Sequence, residues 1–420
     1  MSRLLPPLRR NLDLMPSPAA DRPGLLMRDP FRFAESMLII PSALVPCLAF
    51  FNGKYERGQV AEALVRLSGD IRMGQVIDHL LDTLSEAGFL EDDVFAGLKG
   101  ERMRGFAEAA SRAPAHAGSA YPVEVDALRQ VMAQYMDGVA ADGTAEERGP
   151  ARGTDDLIGI AAPHVSPEGG WRSYQAAYRA LGPGAAERTF VILGTSHYGE
   201  PEAFGLTRKP FLTPLGEAAV DRRLADELAE KGGPAVRLED YCHSIEHSIE
   251  FQVVFLQHLF GPGVRILPVL CGPYARSTRE GGKPEDDPAV AHFLDALGEV
   301  AAREGRRLTW VLGVDMAHMG RRYGDAFVAR AEEGLMLEVA ERDRARFERI
   351  AAGDAAGFWQ LVQEKSDELK WCGASPLYTF LKAVAPPRAE VARYEQWNID
   401  EGSVVSFAAL AFRDHAQGVV

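Results

Sequence analysis

Leu157-Ile158-Gly159-Ile160-Ala161-Ala162-Pro163-His164 decides the fold: an apolar run of strand length that stops at a proline and a histidine. A run so short and continuous fits a strand buried on both faces of a parallel sheet. The design recurs at Thr189–Leu193, which leads into Gly194-Thr195-Ser196-His197. It recurs again at Leu308–Val314, which leads into Asp315-Met316-Ala317-His318. Val264–Leu270 is a further apolar run. Helical spacing falls between the runs, at Ser173–Leu181, Ala219–Lys231 and Ser248–Phe260, where Ile249, Val253, Leu256 and Phe260 share a face. More helices are expected over roughly 289–303, 323–339, 343–353, 355–365 and 375–384, and a strand over Val404–Phe412. This alternation predicts an α/β domain around a largely parallel sheet. Ligands of such sheets bind outside the carboxyl ends of the strands. The residues just past the runs are therefore the ones to examine.

At 420 residues the chain has room for two or three domains. Its net charge of −14, with no block of lysines and arginines, argues against a nucleic-acid partner. Met1–Arg10 is basic but lacks a following apolar region, so no signal peptide is expected. Met37–Phe51 is the most apolar stretch, yet Pro41 and Pro46 interrupt it. It falls short of the roughly 20 residues a membrane span needs. Cys47, Cys242, Cys271 and Cys372 are far apart, which predicts a reducing cytoplasm instead of a disulfide framework. The surroundings of Cys242 read as an exposed loop.

Residues 1–30 are rich in proline and arginine and read as an extended lead-in. Over 31–100 a strand at Ser36–Ile40, a turn at Phe51–Lys54, helices at Gly58–Leu67 and Met73–Glu86, and a short strand from Gly88 predict a small winged-helix-like module. Residues 101–113 read as a connecting helix, and 114–415 as the α/β domain. Within it a helix is expected from about Val123 to Met136, and a glycine-rich loop at 140–153.

Only ten histidines and four cysteines occur in the chain, and several follow strand ends. His164 and His197 can share one edge of the sheet, and neutral imidazole is the commonest protein metal ligand. Cys372, in Trp371-Cys372-Gly373, stands just before a helix, where the positive dipole end favours a thiolate. That suits a soft ligand or a nucleophile. His247 opens the Ser248–Phe260 helix with Glu246 beside it and Glu250 three residues on. The segment lacks the second histidine of a zinc-protease helix, so it better fits an acid/base histidine held by carboxylates. Asp315 and His318 suit the surrounding shell of a metal or ligation itself. Each of these residues also has a plain reading as a hydrogen-bonded loop or helix-cap residue. Neither a phosphate loop nor a Gly-x-Ser-x-Gly elbow is present.

Eight segments in register resemble the Memo family, and in particular its bacterial AmmeMemoRadiSam system B branch. They are His-Ala-Gly-Ser-Ala-Tyr-Pro at 116–122, Ala-Pro-His at 162–164, Leu-Gly-Thr-Ser-His at 193–197 and Thr-Pro-Leu-Gly at 213–216. Glu-His-Ser-Ile-Glu-Phe-Gln at 246–252, Asp-Met-Ala-His-Met-Gly at 315–320, Cys-Gly-Ala-Ser-Pro at 372–376 and Ser-Val-Val-Ser-Phe-Ala at 403–408 complete them. The family is similar in fold to class III extradiol dioxygenases, which implies a three-layer α/β/α domain. The resemblance further implies a metal held by His164, His197 and Cys372, iron or alternatively copper, with His247 as acid/base and Asp315 and His318 around it. A cysteine where the dioxygenases carry a glutamate makes the site softer, so ring cleavage does not simply transfer. After Ala-Pro-His this chain reads Val-Ser-Pro-Glu-Gly-Gly-Trp, where animal members have Ala-Gly-Tyr or Ala-Gly-Trp. Three functions follow as expectations. The first is a metal-dependent redox enzyme acting on a small-molecule or peptide substrate. The second is a non-catalytic partner- or peptide-binding protein of a radical-SAM-linked system, and the third a hydrolase with Cys372 as nucleophile.

Overall fold

The computed structural model describes residues 4–19, 21–137, 156–384 and 388–414. The chain divides into two compact units, Met1–Glu108 and Ala109–Val420. The first begins with three antiparallel strands, β1 (Asp13–Pro16), β2 (Gly24–Arg28) and β3 (Met37–Pro41). Helices Arg57–Ser68, Met73–Glu86 and Asp93–Glu108 follow. Residues 1–30 are thus not a lead-in, because they supply two of the three strands. Leu5, Leu12 and Met27 are buried in the unit's core, and Arg9 pairs with Asp29 where neither side chain reaches solvent. The short strand expected after Gly88 is a single antiparallel bridge between Leu8 and Leu90. The connecting helix expected at 101–113 is instead the end of Asp93–Glu108, and it belongs to this unit.

The second unit is built on one large mixed sheet. Its strands are β4 (Leu157–Ala162), β5 (Thr189–Thr195), β6 (Phe204–Leu206), β7 (Phe211–Thr213), β8 (Gly216–Val220), β9 (Val236–Leu238), β10 (Arg265–Cys271), β11 (Leu308–Gly313), β12 (His318–Gly320), β13 (Arg388–Asp400) and β14 (Ser403–Arg413). The order is β12-β14-β4-β11-β5-β10-β6-β9, with β13 on β14 and β8 on β10. The centre, β4-β11-β5-β10, is parallel, as the apolar runs predict. Alternate residues face two separate cores: Val191 and Leu193 meet one, Phe190 and Ile192 the other. Helices cover both, so the layers are helix, sheet, helix.

Several expectations fail locally. No helix covers 324–334; one helix, Leu335–Ala351, replaces the two expected at 323–339 and 343–353. Gly324 and Gly334, both at positive φ, interrupt the chain there. Ala219–Lys231 is a strand end followed by the helix Arg222–Lys231, and the long strand β13 carries no continuous apolar run. The loop expected at 140–153 lies outside the described residues. Among the described residues no helix is long and apolar enough to cross a membrane.

Helix His247–Phe260 matters most for the site, and it is buried from Ser248 to Gln257. Gly194 and Gly313, register neighbours on β5 and β11, let it reach the sheet. A Cβ on Gly313 would stand 2.1 Å from the Ser248 carbonyl oxygen, and one on Gly194 would stand 2.5 Å from Ser248 Oγ. Gly313→Ala should therefore lower stability by about 1–3 kcal/mol in urea unfolding. Gly184→Ala, where a Cβ meets nothing within 4 Å, should stay within about 0.5 kcal/mol of wild type. Equal stability of the two variants would contradict this close approach.

Candidate metal centre

The carboxyl ends of β4 and β5 deliver His164 and His197, and the start of helix His247–Phe260 delivers His247. Their ring centroids form a near-equilateral triangle, 5.0, 5.1 and 4.9 Å on a side. One donor atom from each lies within 4.8 Å of the other two. His164 forms the floor with a side chain 2% exposed, while His197 and His247, at 27% and 26%, form the rim.

In all three rings Nδ1 is engaged. His164 Nδ1 donates to the Gly313 carbonyl at 2.9 Å. His197 and His247 place Nδ1 at 2.9 and 3.1 Å from the same oxygen of Glu246, Oε1. Nε2 is then the nitrogen each ring has left to offer an ion, the arrangement by which a carboxylate or carbonyl orients a metal-binding imidazole. Glu246 also accepts the backbone N–H of His197 at 2.8 Å and of His247 at 2.9 Å, so it caps the helix as well. Burial opposes the Glu246 charge, but His197 and then His247 outweigh it and hold the carboxyl well below its usual range. Burial likewise opposes a charged His197, and Glu246 and Cys372 together outweigh it, raising that imidazole above its usual range. Burial and the two neighbouring imidazoles keep His164 neutral.

Cys372 Sγ lies 3.2 Å from His164 Nε2 and also interacts with His197. Burial pushes its thiol up, so the thiolate expected from the helix N-terminus is not favoured. Asp315 ties the loops together: Oδ1 accepts the His164 N–H at 2.9 Å, and its carbonyl accepts the Gly373 N–H at 2.9 Å. Its Oδ2 lies 3.4 Å from His164 Nε2, and burial raises its carboxyl to about 7. His318 stands one step back, with Nδ1 at 3.0 Å from the Lys370 carbonyl, and so it braces the segment that carries Cys372.

Two expectations change. His247, read as a flanking acid/base, stands within the imidazole group itself. Glu250, read as its partner, faces away and is fully buried against Arg112 and Tyr121. Glu250 also accepts the N–H groups of Ala115 and His116, each at 2.9 Å. Burial opposes its charge, and Arg112, with His116, Tyr121 and the Ala115 N–H, together more than offset that. The i, i+4 spacing of Glu246 and Glu250 hid the difference, because Glu246 is the cap outside the first turn. Cys242 is buried and not on an exposed loop. Sequence reasoning gave no role to Gln252, which donates to the Pro163 carbonyl at 2.9 Å, or to His116, whose ring centroid lies 5.6 Å from that of His247.

The donor set fits a metal ion. Glu246 and Asp315, 1% and 2% exposed, have no Lys or Arg ion pair among the described residues, only imidazoles. A cation among the Nε2 atoms would answer the Glu246 charge and favour an ionised Asp315. Glu250, by contrast, should be structural. Glu250→Ala should cost about 3–5 kcal/mol in chemical unfolding, because it strands the buried Arg112, and should leave metal stoichiometry unchanged in the folded fraction. Loss of metal without loss of stability would contradict that separation.

The profile of the Memo-like protein family matches residues 112–411. A MEMO1 family protein of Thermococcus kodakarensis is 29% identical over 313 residues, covering 72% of this chain and 99% of the relative. A MEMO1 family protein of Aquifex aeolicus is 23% identical over 391 residues, covering 92% of this chain and 95% of the relative. An uncharacterized protein of Escherichia coli K12 of solved structure aligns over 61% of this chain and 99% of its own, with a TM-score of 0.38 and 13% identity. With the family's profile spanning every residue of the imidazole triangle, the chain belongs to the Memo-like protein family.

Proposed function

We propose that this protein is a metal-dependent redox protein that holds iron, or alternatively copper, at His164, His197 and His247, with Cys372 as an adjoining soft donor. The convergence of three imidazoles within 4.8 Å carries the reading. Imidazole suits iron and copper alike, and a thiol in reach favours the softer, redox-active ions. Such an ion, when bound, supplies electron transfer and polarisation of an oxygen-bearing substrate.

The chain's own residues do the positioning. Glu246 holds the Nδ1 protons of His197 and His247 and so fixes both ring planes. The Gly313 carbonyl does the same for His164. Asp315 and His318 keep the loop of Cys372 against the floor of the site. Burial of His164, Glu246 and Asp315 thins the water around them, which strengthens each of these contacts.

Reconstitution with iron(II) without oxygen, followed by elemental analysis, tests the reading. Wild type should bind about one ion per chain, and the alanine variants of His164, His197 and His247 should bind far less. Glu246→Gln should fold and bind about 10–100-fold more weakly, the usual effect of removing a group that orients a ligand. Wild-type protein that binds no ion, or alanine variants that keep theirs, would overturn the proposal.

A further inference from the structure

The first unit leaves one strand edge unguarded. β3 pairs with β2, and its second edge meets no strand among the described residues. An open edge is a row of unpaired N–H and C=O groups, and folds usually blunt it with charge, proline, a bulge or short length. Other strand edges in the molecule are blunted in these ways. β1 carries Asp13 and Pro16, and β9 is three residues long with Arg237 at its centre. β13 carries Arg388, Glu390, Arg393 and Glu395, with a break in register before Arg393. β3 lies instead in Ser36-Met37-Leu38-Ile39-Ile40-Pro41-Ser42-Ala43-Leu44, a stretch without a charge. Pro41 blocks only its last rung.

Side chains alternate along this strand. Leu38 and Ile40 turn to the core of the unit. Met37, Ile39 and Pro41 turn the other way. Met37 is 69% exposed, and the three line an open hollow of about 560 Å³ with Arg22, Pro23 and Ser42. In register with Ile39, Leu26 and Met15 carry the apolar row across the sheet, each half-buried.

Charge decides what covers this edge. The chain carries −14, so two copies repel over most of their surface. Around β3 the charges cancel in pairs: Asp13 with Arg28 at 2.9 Å, Glu35 with Arg102, and Asp21 with Arg22 at 3.9 Å. A foreign partner is ordinarily selected and registered by charges of opposite sign, and the strand offers none. A second copy needs none, because an uncharged strand is its own complement about a two-fold axis.

We infer that two copies of this chain join through β3, strand against antiparallel strand, about a two-fold axis at Ile39. Each three-stranded sheet then continues into its counterpart. Ile39 meets Ile39 of the second copy, Leu38 meets Ile40, and Met37 enters the hollow beside Pro41. Two short strands make a contact smaller than a standard stable interface, so the dissociation constant should lie at about 1–100 μM. The inference is independent of the metal site.

Sedimentation velocity on the full chain over about 1–300 μM should show the mass rising from one chain toward two. Salt should strengthen the association, since it screens the overall repulsion and the contact holds no ion pair to weaken. Ile39→Lys and Ile39→Glu each set two like charges face to face across the axis. Each should weaken association at least tenfold while far-ultraviolet dichroism stays as in wild type. Mixing the two variants should restore it, because lysine then faces glutamate. Val391→Lys, on the guarded β13 edge, should leave association unchanged. In wild type, hydrogen exchange of the β3 amides should slow as concentration rises, a reading that needs no variant. A chain that stays single over the whole range would overturn the inference and leave the edge to another partner. So would Ile39 variants that associate as wild type does, or a mixture no tighter than its components.

Discussion

The carboxylate of Glu246 is the constraint on which the site depends. It is 1% exposed and has three tasks: it caps the helix His247–Phe260, receives the His197 backbone, and holds the Nδ1 atoms of two imidazoles. A carboxylate at a helix N-terminus is favoured by the dipole, and here the same charge orients two imidazoles. The helix can bring Glu246 so close only because β5 and β11 carry Gly194 and Gly313 near their carboxyl ends, beneath its first turn. Fold and site are therefore coupled at one point. A change in how the helix seats would turn two of the three rings.

Around that point the polar residues divide into two groups. Asp315, His318 and Gln252 tie the His164 and Cys372 loops to each other and to the sheet. Glu250, Arg112 and Tyr121 form a buried clasp that fastens the segment beginning at Arg112 to the helix. Both groups are needed, because imidazoles at the end of a sheet face solvent unless something fixes them. Of these residues Asp315 touches an imidazole directly, through the His164 N–H and Nε2.

The parallel centre of the sheet was legible because its strands are short apolar runs, buried on both faces, that stop at His164, His197 and Asp315. The flanks were not. Strands β6 to β9 are three to five residues long, too short to show a period. β1 and β2 lie in a stretch whose prolines and arginines mask the buried Leu5, Leu12 and Met27. Within the site, residues at strand ends were found from sequence, since position alone marks them. His247 was found but misplaced, because pairing with Glu246 says nothing about where the ring points. Glu250 misled because a helix face seen in sequence does not reveal that Arg112, far away in the chain, waits on it.

Crystals soaked with iron(II) and measured at the iron absorption edge would test the account most directly. It predicts one anomalous peak, bounded by the Nε2 atoms of His164, His197 and His247 and beside the sulfur of Cys372. A peak elsewhere, or rings of His197 and His247 turned to offer Nδ1 to the ion while Glu246 holds neither, would contradict it.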